Sequence, residues 1–178
     1  MPRRPLPFEY TRRGYRCNLD VDERRLVRRL IGEISELLTT TTPEDPKMER
    51  LFPPAYLDDA DGDAQTEYQH FMRDELVASR LDTIMRVETL LADDRTDTIT
   101  AGELDAFATA LNSVRLVLGT LLGVDDRPED DDDDAHPDDA HPNDAHPNEM
   151  NLYNYLSWLL ECAVAARMKG WDSERRET

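Results

Sequence analysis

Four stretches of this chain repeat their apolar residues at helical spacing, and each carries only one oily face. In the first, Leu26, Val27, Leu30, Ile31, Ile34, Leu37 and Leu38 fall in one sector at ~100° per residue. Arg24, Arg25, Arg28 and Arg29 fall in the opposite sector, which makes an amphipathic helix with a basic stripe over about 21–39. A helix with one apolar face cannot bury it alone. The pattern therefore predicts a mainly α fold, a compact bundle of about four main helices.

Local signals mark where these helices begin and end. Asp20 with Glu23, and Thr100 with Glu103, each have capping-box spacing. The second box starts a helix with Leu104, Phe107, Leu111, Val114, Leu118, Leu121 and Leu122 on one face, ended by Gly123. Before it, a long helix over about 66–92 carries Leu76, Val77, Leu81, Ile84 and Leu91. A short helix over 46–52 starts at Pro46 and stops before Pro53-Pro54. The last helix, about 150–168, carries Leu152, Tyr155, Leu156, Leu159 and Ala163. Ahead of them, FEYTRRGYRCNL alternates aromatic and polar residues around Gly14. That predicts a short N-terminal β-hairpin with Phe8, Tyr10, Tyr15 and Cys17 on one face.

These elements form a single helical domain over 8–168. Residues 1–7 are expected to be a disordered tail and 169–178 a frayed one. The domain is interrupted at 125–149 by an acidic segment in which Ala-His-Pro occurs three times with a period of five. His136, His141 and His146 in that segment are candidate ligands for zinc, nickel or copper. A proline after each histidine favours extended geometry, so gathering three ligands costs chain entropy. The segment is expected to be a disordered, solvated insertion that binds metal weakly if at all. It could also fold back on the arginine stripe.

Charge narrows the partners. The net charge is −18, with −11 of it in residues 125–149, −9 in 51–124, none in 150–178 and +2 in 1–50. Direct nucleic-acid binding is disfavoured, because phosphates need neutralising. Only the stripe Arg24, Arg25, Arg28 and Arg29 offers a docking surface for an acidic protein segment. No segment is apolar enough to span a bilayer, and MPRRPLPFEY lacks the apolar stretch of a secretory signal, so a cytoplasmic location is expected. Cys17 and Cys162 then read as reduced thiols, with a redox-sensing pair as the alternative if they meet in the fold. Arg80, Glu88 and Arg115 lie within apolar sectors, and Arg115 is expected to pair with Glu88 inside the bundle. No nucleophile, base and orienting group occur together and no cofactor motif is present, so a non-enzymatic protein without cofactors is expected.

The stretches LDVDERRLVRRLIGEISELL, PEDPKMERLFPPAY, ITAGELDAFATALNSVRLVLGTLLGV and YNYLSWLLECAVA resemble the actinobacterial domain-of-unknown-function family two thousand and seventeen. Asn112, Arg115, Leu116, Leu118 and Gly119 are the most specific residues of the resemblance, with Pro43–Pro53 and Leu156, Trp158 and Leu159. Some members are called actinomycete oxidative-stress regulators. The resemblance implies a cytosolic, non-enzymatic protein, and the acidic charge points a regulator of this kind to another protein, such as a transcription-machinery subunit or a basic domain, over unaided DNA binding. In the regulator subgroup it implies redox control through closely spaced cysteines, whereas here Cys17 and Cys162 stand alone. Oligomeric state is open.

Overall fold

A computed structural model describes residues 4–42, 45–53, 62–93, 97–124 and 147–176, with no side chain described between 62 and 73. In chain order the elements are β1 (Phe8–Thr11), β2 (Gly14–Cys17), α1 (Val21–Thr40), α2 (Pro46–Leu51), α3 (Gly62–Ala92), β3 (Thr98–Ile99), α4 (Ala101–Leu121) and α5 (Pro147–Arg176). The chain is mainly helical, with a small antiparallel sheet at its N-terminal end.

Helix α4 is the centre of the bundle. It packs against α1, α2, α3 and α5. Its sequence explains the position: between Asp105 and Arg115 it carries no charge. Leu104, Phe107, Ala110, Leu111, Val114 and Val117 are all buried, so α4 is apolar over much of its circumference, as a central helix must be. Both predicted capping boxes are present. The Asp20 and Thr100 side chains each accept from the N–H three residues on, and Glu23 and Glu103 return the bond.

The predicted hairpin forms, with Phe8 opposite Cys17 and Tyr10 opposite Tyr15. Gly14 holds φ at +130°, and a Cβ there would meet the Ile99 carbonyl oxygen at 2.7 Å. Ile99 belongs to β3, which lacks a strand signal of its own in the sequence. This two-residue strand pairs with β2 and covers an edge that would otherwise be bare. The buried sheet face lies over the helices, with the Phe8 and Phe107 rings 4.9 Å apart.

Described residues near both ends of the chain make defined contacts. Arg4–Pro7 is held by bonds from the Asn18 amide to Pro7 O and from Asn18 Nδ2 to Leu6 O, and by Arg4 pairing with Asp20 and Glu23. Helix α5 does not stop near 168 but continues to Arg176. Leu76 and Leu121, expected inward, are exposed. The insertion with His136, His141 and His146, apart from its last residues in α5, lies outside the described residues.

Candidate functional site

The predicted basic stripe divides. Arg24 is buried at 3% exposure, its Nε donating to Leu19 O at 3.1 Å and its Nη1 to Asp93 O at 3.3 Å. It ties the start of α1 to the end of α3, so it is a structural residue and no part of a docking face. The reason is angular: Arg24 sits one turn before Val27 and Arg28, at the edge where α1 meets α3. Arg25, Arg28 and Arg29 are exposed. Arg25 pairs with Asp22 at 3.1 Å and Arg29 with Glu33 at 3.7 Å along the same helix, which dilutes their positive field.

The expected Arg115–Glu88 pair does not form. Arg115 reaches across to α5, with Nη1 3.5 Å from the Tyr153 hydroxyl and Nη2 3.3 Å from Asn112 Oδ1. Glu88 points instead towards Gly32 on α1. Both lie in apolar sectors, but α3 and α4 present them to different neighbours. Among the described residues Arg115 Nε and Ser157 Oγ are buried without a hydrogen-bond partner. Arg80 is also drawn inward. It donates to Ser113 Oγ at 2.6 Å and Leu51 O at 3.2 Å, over the Phe52 ring, and burial lowers its pKa.

Cys17 and Cys162 are both free. Burial raises the pKa of each, most directly for Cys17 in the sheet. Both therefore favour the thiol over the reactive thiolate. Among the described residues no group of histidine, cysteine and carboxylate side chains could hold a metal ion, and no helix is long and apolar enough to cross a membrane.

The surface that stands out is the C-terminal half of α5, which sequence reasoning missed. Val164, Met168 and Trp171 are 46%, 58% and 56% exposed. Their spacing of four and three residues puts them on one stripe. Behind the stripe the helix is fixed. Arg167 Nε donates to Asp105 Oδ1 at 2.9 Å and its Nη1 to the Tyr15 hydroxyl at 3.3 Å. The same guanidinium stacks over the Trp171 ring at 4.9 Å. Three residues on, Gly170 is buried so closely under Tyr15 that a Cβ would lie 2.9 Å from the phenol Cζ. An open recess of about 780 Å³ has Met168, Trp171 and Asp172 among its walls. A smaller cleft of about 200 Å³ between α1 and α4 is lined by Leu37, Val117, Leu118 and Leu121, with Glu33 and Lys47 also in its walls. The signal in the sequence was the continued 3–4 spacing of large apolar residues past 163.

No curated protein and no solved structure matches the chain. One family model does, over residues 4–167, which takes in the hairpin, every helix up to Arg167 and the Asn112–Gly119 stretch. The chain belongs to the family described as Domain of unknown function (DUF2017).

Proposed function

We propose that this chain is a non-catalytic, cytosolic protein-binding module of regulatory type that docks through the exposed C-terminal half of α5. The observation that carries the reading is a stripe of Val164, Met168 and Trp171 standing in water on a helix clamped from behind by Arg167 and Gly170. Exposed large apolar side chains gathered on one face mark association surfaces, and Trp and Met are enriched in them. A surface held rigid before binding loses little entropy on docking.

The non-catalytic half is supported by where the polar groups are spent. Arg24 and Arg80 bond backbone carbonyls, and Arg167 bonds Asp105 and Tyr15. Two free thiols suit a reducing compartment, which supports the cytosolic assignment. A redox-responsive reading of the oxidative-stress kind gains no support, since burial holds both sulfurs as thiols.

A photo-crosslinking amino acid at position 168, compared in living cells with one at exposed Arg13, tests the docking surface. A discrete adduct is expected from 168 and not from 13. Adducts from neither position, or equally from both, would remove the α5 stripe as a docking site.

A further inference from the structure

We infer that the partner seated on the α5 stripe is a second copy of this chain, packed antiparallel about a twofold axis near Met168. The inference rests on the docking reading above and adds the identity of the occupant.

The stripe is self-complementary. Along its seam the exposed positions Glu161, Val164, Met168, Trp171 and Arg175 are spaced 3, 4, 3 and 4 residues apart, as in two heptads of a coiled coil, with exposed Ala165 and Asp172 flanking them. Glu161 lies seven residues before Met168 and Arg175 seven after, so they stand ~21 Å apart along the helix. An acidic end, an apolar middle and a basic end repel a parallel copy and match an antiparallel one. With the twofold at Met168, Glu161 of each copy lies beside Arg175 of the other, and the contact occurs twice. The same register sets Trp171 against exposed Ala165 of the second copy, a large side chain over a small one. A twofold interface needs one patch that is its own complement, and this patch is.

The α5 seam is short, and each copy carries a net charge of −18. Repulsion between two such chains opposes pairing at low salt and is screened near physiological ionic strength. The dimer is therefore expected to be reversible, with a dissociation constant of tens of micromolar, roughly the class of small interfaces.

The test is sedimentation velocity of the full chain from ~2 to ~400 µM in 0.15 M salt, a range that brackets such a constant. Wild type should pass from monomer to dimer. Met168→Lys should weaken the dimer at least ~10-fold. Glu161→Arg and Arg175→Glu alone should each weaken it ~3- to 10-fold, and together restore it to within about twofold of wild type. All three substituted side chains are exposed, and an unchanged melting curve confirms the fold. A monomer throughout, or a double variant no tighter than either single one, overturns the inference. The crosslink at position 168 separates the two readings. An adduct of a mass other than two chains, with a monomer in sedimentation, discards the second copy and keeps the docking surface. No adduct and no dimer discard both.

Discussion

Glu23 shows how much of this fold can hang on one carboxylate. Its Oε2 accepts from the Asp20 backbone N–H at 3.0 Å, closing the capping box of α1, and pairs with Arg4 at 2.8 Å. Its Oε1 accepts from the Tyr155 hydroxyl at 2.9 Å. One side chain thus joins the N-terminal strap, the first turn of α1 and the N-terminal part of α5. Tyr155 feels this directly. Burial first, then the hydrogen bond to and the charge of Glu23, raise its phenol pKa above the ordinary value. A raised folded-state pKa stabilises the fold fully below the ordinary phenol value near 10, and that contribution is lost as pH climbs towards the folded value. The Cys17 thiol, also raised, adds the same sign of effect from about pH 8.5 upwards. We predict that the urea midpoint falls steadily above about pH 9. Tyr155→Phe should be less stable at pH 7 by roughly 1 kcal/mol, the usual worth of one hydrogen bond, and should flatten the decline above about pH 10. An equal alkaline decline in the variant would show that the phenol does not set it.

Among the elements, those whose signals are local were readable in the sequence. The caps at Asp20 and Thr100, the turn at Gly14 and the short helix begun by Pro46 all depend on residues within four positions of one another. What the sequence hid depends on distant partners. Arg24 meets the carbonyl of Asp93, 69 residues away, and Arg115 meets Tyr153, 38 away. The last turns of α5 are the clearest case. Met168, Lys169 and Gly170 follow the apolar run, and a glycine inside a helix ordinarily weakens it. Here Gly170 is required because Tyr15, 155 positions earlier, leaves no room for a side chain. Tyr15 cannot swing aside cheaply, since it is 2% exposed and holds Arg167. Gly170→Ala would gain helix propensity in an isolated peptide, worth roughly 1 kcal/mol. In the protein it should force α5 off the sheet at a cost of roughly 1–3 kcal/mol, as overpacking does. The measurable result is faster amide exchange over 168–176 and a red-shifted Trp171 emission, with little change in α1 or α4. Unaltered exchange in that segment would mean that the Tyr15 contact does not hold the helix end.

For the molecule as a whole, the fold and the charge are separable. Core contacts are made by elements on both sides of the acidic insertion. Asp105 opposite Arg167 and Gly119 opposite Tyr153 show α4 and α5 to be antiparallel neighbours. Such helices are ordinarily joined by 2–8 residues, a range from helix-bundle connections. The stretch 126–145 is far longer than that need and carries nine of the net negative charges of a chain at −18. Removing it therefore takes away repulsion and leaves the described core contacts in place. We predict that replacing 126–145 with a short Gly/Ser linker preserves cooperative unfolding, with a melting temperature within about 3 °C of wild type at 0.15 M salt. At 10 mM salt, where the screening length is ~30 Å, the shortened chain should be the more stable of the two, because self-repulsion acts across the whole molecule there. The dimer is subject to the same force. With half the net charge, the shortened chain should pair through α5 more tightly than wild type at low salt, and the difference should fade as salt rises. A shortened chain that melts without cooperativity would instead place part of the core in the insertion, and one whose stability ignores salt would show that the acidic charge does not strain the fold.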